Sequence, residues 1–296
     1  MNILPPNRLL LFYNRFWDAD PAANPPSECT GNWEITSDPS RFEQASAVVF
    51  HIPSMPTWST VKKLSHQKWV AWSSESDVYY AHLRDSKFMA RFDLTMTYWL
   101  NSDVPVLYVD PTVSEQLRKP PIAKTTDAVA ALFASNARER SGWSGYISEL
   151  MSYIRVDSYG KWRPNRVLAN DSGRETKLDT IARYKFTLAF ENSLSKDYVS
   201  EKIFDPLIAG SVPVYKGAPN IVDFVPADHC FINVDDFRGP RELADYLRML
   251  DDDPVKYEAY LTWKTQPFRR SFVDLVETQR MDYRCRLCRR LEGMRW

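Results

Sequence analysis

Short apolar segments alternate with polar connections through the first third of the chain. Each segment has the length and the flanking turn residues that are typical of a buried strand. Two intervening stretches, residues 58–65 and 83–92, have the character of helices. This alternation predicts an α/β layer architecture for the N-terminal half. The predicted strands of this half are residues 9–12, 47–51, 69–72 and 104–108.

A second alternation of strands and helices follows the Pro-rich stretch 119–126, KPPIAKTT. This stretch is the predicted boundary, with an N-terminal domain at 1–122 and a C-terminal domain at 123–296. The pattern of the second half is that of βαβ units on a parallel sheet, so a Rossmann-like domain is predicted. Its predicted helices are 146–154, 201–209 and 241–250. Its predicted strands are 128–133, 155–159, 185–190, 212–215 and 230–234.

Composition excludes several classes of partner. Lys and Arg number 38 and balance 38 Asp and Glu, so no net field attracts a nucleic acid or an anionic membrane. The longest apolar runs are far shorter than the ~20 residues that span a bilayer. We therefore expect no nucleic-acid partner and no transmembrane segment in this chain, and any membrane anchor would lie outside it.

The four cysteines are Cys29, Cys230, Cys285 and Cys288. The last two form a CRLC step that has no second CxxC and no nearby His, so a zinc site is not predicted. A disulfide to Cys29, or one within the C-terminal tail, is the favoured interpretation and would imply an oxidising compartment. Unpaired thiols in a reducing cytosol are the alternative.

Candidate chemistry concentrates between residues 184 and 220. The predicted strand 185–190 delivers Glu191, Asn192 and Ser193 to its carboxyl end, where open α/β sheets bind their ligands. A polar loop follows, and Ser200 is the predicted N-cap of the next helix. These residues could also simply satisfy backbone groups at the strand end.

The start of that helix is predicted to bind a diphosphate. Free N–H groups and the positive end of the helix dipole favour an anion, and Lys202 adds a full charge. Glu201 is a candidate acceptor of hydrogen bonds from ribose or sugar hydroxyls, and Gly210 is the predicted C-cap. The sequence contains neither G-x-G-x-x-G nor a P-loop, so neither of those phosphate-binding motifs is indicated.

This segment resembles the donor-binding motif of the α-1,3/4-fucosyltransferases, glycosyltransferase family 10. The family pattern is close to YKF-x-L-x-FENS, YVTEK and P-x-Y-x-G-x-P, and here it reads YKFTLAFENS, YVSEK and VPVYKGAP. Such an extended match is highly specific. Four other segments are similar to the family: SAVVFH at 46–51, WVAWSSES at 69–76, FDLTMTYWLNSDVPVLY at 92–108 and RVDSYGKW at 155–162.

The resemblance implies a GT-B fold, α/β, with two Rossmann-like domains facing across a cleft. GDP-fucose would bind to the C-terminal half and a GlcNAc-containing oligosaccharide or glycoprotein acceptor to the N-terminal half. Tyr198, Glu201 and Lys202 take the places of nucleotide-sugar contacts, and Glu75 that of the proposed general base. An inverting transfer needs such a carboxylate, whereas the GDP leaving group needs positive charge rather than an acid. No tightly bound cofactor and no divalent metal are therefore expected.

Two departures from the family pattern affect the predicted site. Asp77 stands where the family usually has Pro, and adds a second carboxylate that could share the role of base. Trp143 falls about where the family has an Arg, and Arg138 or Arg140 could replace it. His51 is placed at a strand end facing the presumed cleft. The candidate donor contacts are Glu191, Asn192, Ser193, Tyr198, Glu201, Lys202, Arg140 and Tyr159, and the candidate acceptor contacts are His51, Ser74 and Asp77.

The sequence thus predicts an inverting α-1,3-fucosyltransferase that acts on N-acetyllactosamine-type glycans. Transfer to the GlcNAc of an N-glycan core and a catalytically weakened glycan-binding protein of the same fold are the alternatives. The expected location is the Golgi lumen for a eukaryotic chain, with the anchor outside this sequence, and the cytoplasm for a bacterial one.

Overall fold

The computed structural model describes residues 8–29, 33–55, 61–135 and 140–294. The chain folds into two compact units, each built on a five-stranded parallel sheet. Among the described residues, we find no helix with the length and apolar character that a bilayer crossing requires. Unit 1 comprises Met1–Leu107 with Thr278–Trp296, and unit 2 comprises Tyr108–Glu277.

The sheet of unit 1 has the strand order β2-β1-β3-β4-β5. Its strands are β1 (Leu9–Phe12), β2 (Glu34–Thr36), β3 (Ala47–His51), β4 (Lys68–Ser73) and β5 (Leu94–Thr97). Every residue of β1 and β3 is buried. Continuous apolar runs such as LLLF and AVVF form these strands because both faces of a parallel sheet are covered.

The sheet of unit 2 has the order β10-β9-β8-β6-β7. Its strands are β6 (Ala130–Ala134), β7 (Val156–Gly160), β8 (Phe186–Phe190), β9 (Val212–Lys216) and β10 (Ile232–Asn233). Because β7 and β8 pair with opposite edges of β6, the strand order reverses at β6 and β8. Open α/β sheets bind ligands at the carboxyl ends of the strands that flank such a reversal.

The helices lie between these strands and after them. The α-helices are α1 (Ser86–Met89), α2 (Val113–Leu117), α3 (Trp143–Leu150), α4 (Arg174–Ile181), α5 (Glu201–Ala209), α6 (Pro240–Asp252), α7 (Pro254–Ala259), α8 (Arg270–Arg280) and α9 (Tyr283–Leu291). The 3₁₀ helices are Pro39–Gln44, Ile52–Ser54, Ala81–Arg84, Ile221–Asp223, Val234–Asp236 and Thr262–Thr265.

Helix α5 confirms the predicted element in full. It begins after Ser200, whose hydroxyl accepts from the Lys202 N–H, and it ends at Gly210, which has the left-handed φ of +71°. A Cβ at Gly210 would lie 2.7 Å from the Cβ of Pro121, so both conformation and space require glycine there. The start of α5 is therefore fixed at the carboxyl end of the sheet.

The C-terminal segment belongs to unit 1, whereas the sequence analysis placed it in the domain at 123–296. Cys285 of α9 forms a disulfide with Cys29, and the two Cα atoms lie 4.5 Å apart. Leu287 and Cys288 pack into the core of unit 1 against the β1, β3 and β4 strands. The CRLC step therefore lies on a packed helix rather than in a tail, since its apolar face completes this core.

Unit 2 begins at Tyr108, whereas the sequence analysis placed the domain boundary at residue 122. Residues 108–122 include α2, and the backbone carbonyl of Leu117 at its end accepts from the Lys264 ammonium at 2.9 Å. The same ammonium donates to the carbonyl of Leu207 in α5 at 2.8 Å. A buried cation thus ties α2 to the second unit.

Residues 104–108 are not a strand, contrary to the prediction. The N–H groups of Val104 and Val106 donate to the carbonyls of Thr95 and Thr97 in β5. Pro105 between them has no N–H to continue a ladder on the other side. The segment runs beside β5, a strand that the sequence analysis did not predict. Strand β5, rather than residues 104–108, forms the edge of the sheet.

The predicted helix at 83–92 is also wrong in extent, because only a 3₁₀ turn and the single turn of α1 form there. Asp85 separates them and accepts from the N–H groups of Lys87 and Phe88, so a new helix starts at that point. Residues 61–65 of the helix predicted at 58–65 are not helical, and residues 58–60 lie outside the described part. The remaining predicted strands and helices are confirmed, with ends shifted by up to four residues.

Candidate active site

A cavity of about 320 Å³ lies at the carboxyl ends of β6, β7 and β8. It therefore occupies the position where the strand order of unit 2 reverses and where ligands of this kind of sheet bind. Its walls are largely apolar and aromatic, which suits a planar heterocyclic base. The apolar side chains that line it are Leu132, Phe133, Trp143, Leu188 and Phe190.

Gly160 forms part of the cavity wall at the end of β7. Its φ is +93°, and a Cβ there would lie 2.5 Å from the carbonyl oxygen of Ala134. Any side chain would therefore push the ends of β6 and β7 apart. Glycine at this position keeps the two strand ends close and leaves room beside them.

Polar and charged side chains reach the cavity from both strands and helices. Three of them, Asn192, Glu201 and Lys202, are among the predicted donor contacts, whereas Ser135 and Lys177 are not. The first turn of α5 brings Glu201 and Lys202 to the wall together with the N–H groups of the helix start. This arrangement can bind an anion through backbone donors and an ammonium.

Glu191 lies behind the cavity wall and has no exposed surface. Its carboxylate accepts from the Ser200 N–H at 2.7 Å and from the Ser200 hydroxyl at 2.9 and 2.8 Å. It also accepts from the Lys202 ammonium at 3.1 Å. These bonds tie the end of β8 to the start of α5, so Glu191 positions Lys202 rather than facing a ligand.

Close packing explains the glycine next to this carboxylate. A Cβ at Gly217 would lie 2.6 Å from Cγ of Glu191 and 2.2 Å from the hydroxyl oxygen of Tyr215. Burial, and to a smaller extent the Glu191 charge, raises the pKa of Tyr215 well above its usual value, so this hydroxyl stays protonated. The support beneath the start of α5 is therefore tightly packed.

Arg140 lies beside Asn192 at the edge of the same cavity. The Arg140 N–H donates to the Asn192 carbonyl at 2.9 Å. The next residue, Ser141, donates from its hydroxyl to the carbonyl of Glu191 at 2.8 Å. The segment thus follows the end of β8, whereas Arg140, which is exposed, is not among the residues that line the cavity. Arg138 lies outside the described residues.

Trp143, which is expected to fall about where the family has an Arg, forms an inner wall of the cavity. It is 2% exposed and packs edge to face on Trp162, with ring centroids 4.7 Å apart. It therefore contributes an aromatic surface instead of a charge. Ser193, another predicted donor contact, is completely buried after β8.

Tyr159 and Tyr198 do not line the cavity, unlike the prediction of donor contact for both. The Tyr159 ring stacks on Phe133 at 4.7 Å, and its hydroxyl shares a 2.7 Å hydrogen bond with that of Tyr184. Tyr198 packs edge to face on Tyr108. Both tyrosine side chains are themselves buried, and neither forms part of the cavity wall.

In unit 1, Glu75 follows the carboxyl end of β4 and is half-buried. Its N–H donates to the Ser73 hydroxyl at 3.1 Å, and the same hydroxyl donates back to the Glu75 carbonyl at 3.0 Å. The Glu75 charge lies near enough to Tyr80 to contribute, after burial, to the raised pKa of that phenol. The backbone at Glu75 is thus held in a defined turn, and Ser74 lies half-buried within it.

Asp77, the second carboxylate of this turn, is engaged in structural contacts. One oxygen accepts from the Tyr98 hydroxyl at 2.9 Å and the other from Nε of Arg84 at 2.7 Å. The Asp77 N–H also donates to the Tyr98 hydroxyl at 3.1 Å. These contacts favour an anchoring role for Asp77.

His51 is fully buried, which differs from its predicted position facing the acceptor. Its Nδ1 lies 2.8 Å from the Ser54 hydroxyl, and the rings of Phe16, Trp17 and Trp72 surround it. Burial lowers the pKa of His51 from 6.5 to about 4, so the ring is neutral. Nε2 has no hydrogen-bond partner among the described residues.

A loop after β1 covers His51, and sequence reasoning missed it. Asn14 accepts from the His51 N–H at 3.0 Å and donates to the His51 carbonyl at 2.8 Å. Trp17 on this loop is 46% exposed and has a φ of +52°, which bulky residues rarely adopt. The loop is therefore pinned to the end of β3, and no periodic pattern in the sequence could reveal that.

The Cys29–Cys285 bond confirms one of the two predicted disulfide pairings, and the alternative within the CRLC step is wrong. Cys288 and Cys230 are free and buried, and burial raises the pKa of each thiol to about 12. Among the described residues, Cys29, Cys285 and Asp282 form the one cluster with metal-ligand spacing. Its two sulfurs are joined in the disulfide, so they are not available as thiolate ligands.

Comparison with solved structures defines the class of fold. An α1,3-fucosyltransferase structure superimposes with a TM-score of 0.66 at 19% identity, covering 97% of this chain and 90% of that one. A second, described as an α1,3-fucosyltransferase with GDP-fucose, gives a TM-score of 0.60 at 18% identity and covers 94% and 91%. The protein therefore has the GT-B fold, with two parallel α/β units, as predicted.

Sequence comparison then identifies the family. Residues 123–295 match glycosyltransferase family 10 (fucosyltransferase), C-terminal, and residues 5–109 match the fucosyltransferase N-terminal family. The chain belongs to glycosyltransferase family 10, which confirms the resemblance.

Curated relatives share about a third of their residues with this chain. A fucosyltransferase-like protein of Arabidopsis thaliana is 38% identical over 218 residues, which are 73% of this chain and 41% of that protein. GDP-fucose protein O-fucosyltransferase 3 of Mus musculus is 36% identical over 230 residues, and that of Homo sapiens 34% over 236. Both matches cover 73% of this chain and 47% of the relative. The chain thus spans about half the length of the curated relatives it matches.

Proposed function

We infer that the chain is a GDP-fucose-dependent fucosyltransferase whose unit 2 binds the donor. The observation that carries this inference is the start of α5, where Ser200 and the buried Glu191 hold Lys202 at the wall of the cavity. Backbone donors, an ammonium and an apolar wall together suit a nucleoside diphosphate. Family membership supports fucose as the transferred sugar.

The proposed reaction proceeds with inversion. A hydroxyl oxygen of the acceptor attacks the anomeric carbon of fucose while Glu75 takes the hydroxyl proton. The bond from that carbon to the β-phosphate oxygen breaks, and its electron pair leaves with GDP. Lys202 and the first N–H groups of α5 stabilise the negative charge that develops on the leaving oxygen.

The predicted acceptor is the GlcNAc of an N-acetyllactosamine-type glycan, with α-1,3 linkage. A protein acceptor is the second candidate, because the relatives named protein O-fucosyltransferase 3 share 34 to 36% identity with this chain. The α1,3-fucosyltransferase structures share only 18 to 19%. Sequence similarity therefore favours the protein acceptor, and the glycan acceptor stays a prediction.

No divalent metal is proposed to take part, because Lys202 and the helix start supply the positive charge that a leaving diphosphate needs. Full activity after dialysis against EDTA is the expected result. Loss of activity that Mn²⁺ or Mg²⁺ restores would contradict it.

An oxidising compartment, such as the Golgi lumen, is proposed as the location. The support is the disulfide between Cys29 and Cys285, since such bonds persist in oxidising environments. Peptide mapping of native protein under non-reducing conditions tests it. Free thiols at both positions would contradict this location.

A GDP-release assay with GDP-fucose tests the proposed function. Release is expected only when GDP-fucose and a suitable acceptor are both present, and GDP-mannose is the control donor. N-Acetyllactosamine, a core N-glycan and folded protein domains are compared as acceptors. Tight GDP binding without release for any acceptor would refute the transferase and favour the weakened glycan-binding protein.

A further inference from the structure

Lys177 is a cation of the nucleotide cavity that the sequence motifs do not include. It lies on α4 and lines the cavity wall, with 21% of its side chain exposed. Its ammonium donates to Oδ2 of Asp205 in α5 at 2.8 Å. The amine is therefore held at the wall by a neighbouring helix.

Asp205 is a rigid anchor for this amine because it is 1% exposed and doubly paired. Its other oxygen accepts from Arg174, one turn earlier on α4, at 2.9 Å. Arg174 does not line the cavity. An ammonium has three N–H donors, and Asp205 engages one of those of Lys177. The amine can thus donate to a ligand while its charge is balanced within the α4–α5 contact.

Lys177 contacts α5 at Asp205, and the place of this contact along α5 indicates that Lys177 would meet the base of a nucleotide. Glu201 and Asp205 are four residues apart and lie on the same face of α5. Asp205 is about one turn, ~5.4 Å, further from the helix start than Glu201. Glu201 and Lys202 therefore lie at the helix start, and Lys177 lies about one turn further along α5. A nucleoside diphosphate whose phosphates bind at the helix start would extend its base towards Lys177.

The chemistry of the bases then distinguishes the ligand. Guanine presents two acceptors side by side, O6 and N7, whereas adenine has an amino group at position 6 that donates. An ammonium can donate to O6 and N7 of guanine. It cannot form a hydrogen bond with the adenine amino group, because both groups are donors. The apolar and aromatic wall at Phe133 and Leu188 suits the faces of a planar base.

We propose that Lys177, fixed by Asp205, recognises the O6 and N7 edge of guanine and is the residue that selects a guanine nucleotide. This proposal deepens the proposed function and rests on its donor-binding part. It assigns Lys177 to the base, Glu201 to the ribose and Lys202 to the diphosphate.

Calorimetry with GDP, GMP and ADP tests this assignment on Lys177→Met, Lys177→Gln and Arg174→Met. Lys177→Met is expected to weaken the binding of GDP and of GMP by the same factor, about tenfold or more. This is the effect on affinity of losing a hydrogen bond from a charged donor. Its preference for GDP over ADP should fall in proportion. Lys177→Gln keeps an N–H donor and is expected to lose less. Arg174→Met breaks the other bond to Asp205 and should change GDP affinity by less than about threefold.

Four outcomes would overturn the proposal. The first two are a GDP affinity of Lys177→Met equal to that of the wild type, and a loss of affinity in Lys177→Met for GDP but not for GMP. The other two are an unchanged preference of Lys177→Met for GDP over ADP, and a loss of GDP affinity in Arg174→Met as large as that in Lys177→Met. Thermal unfolding of each variant shows whether it is folded, and Lys177→Gln carries the test if Lys177→Met is not. Failure of the wild type to bind GDP would remove the proposed function as well, so the two failures are distinguishable.

Discussion

Acidification should destabilise unit 1 through a single buried imidazole. The His51 ring is neutral in the folded chain because burial lowers its pKa from 6.5 to about 4. The unfolded chain binds the proton first as the pH falls, so the stability that neutral His51 provides is present above pH ~6.5 and is lost towards pH ~4. Linkage gives a loss of about 2 kcal/mol between pH 7.5 and pH 5.

Urea denaturation at pH 7.5 and pH 5.0 measures this loss, and His51→Asn isolates it. The Asn amide places a polar atom near the Ser54 hydroxyl, where Nδ1 of His51 lies at 2.8 Å. His66, which is exposed, provides the control substitution His66→Asn. The wild type and the control should lose about 2 kcal/mol more than His51→Asn on acidification. Equal losses in all three proteins would refute the reasoning.

Three further predictions concern the base, the disulfide and a buried lysine. Glu75→Gln should keep GDP binding but lower transfer about 10²-fold, measured as acceptor-dependent GDP release, because an amide cannot take the acceptor proton. Replacing Cys29 and Cys285 by Ser should lower the free energy of unfolding by about 2–5 kcal/mol, measured in urea without reductant. Burial, followed by the charges of Lys124 and Arg118, lowers the pKa of Lys264 from 10.5 to about 8, so stability should rise by about 1 kcal/mol from pH 7 to pH 9. Lys264→Met should remove the share of the rise that Lys264 contributes in the same denaturation assay, whereas the share of Lys124, whose pKa burial also lowers to about 8, should remain.

Each of these predictions has a contrary result. Asp77→Asn is the control for Glu75→Gln, and a larger loss of transfer in the control would move the role of base to Asp77. Unchanged stability after both Ser substitutions would show that packing of α9 alone holds the C-terminal segment. If stability rises with pH as much in Lys264→Met as in the wild type, groups other than Lys264 cause the rise.

Local signals explain why some elements could be predicted well from the sequence. Helix α5 has its N-cap at Ser200 and a left-handed glycine at 210, and both signals lie within the segment itself. The buried strands β1 and β3 are continuous apolar runs between polar connections. In such cases propensity, capping and burial agree, so the sequence alone places the element.

Long-range packing explains the failures. Whether His51 faces solvent depends on the loop that carries Asn14 and Trp17, which no spacing in the sequence connects to β3. Tyr159 follows the family motif, yet Phe133 and Tyr184 decide that its hydroxyl points into a core. Lys177 lies on α4, which lacks a clear apolar face and was not predicted as a helix. Its position at the cavity wall depends on the contact with Asp205 of α5, which the sequence analysis did not predict.

The disulfide from Cys29 to Cys285 joins segments that are 256 residues apart in the sequence. Unit 1 therefore needs residues from both sides of unit 2, whereas unit 2 is one continuous stretch, Tyr108–Glu277. During vectorial synthesis, unit 2 can fold as soon as it emerges, but the earlier-made part of unit 1 must wait for α9. Truncated chains that stop before residue 278 should accordingly retain the cavity of unit 2 while depending on chaperones to shield the unfinished half.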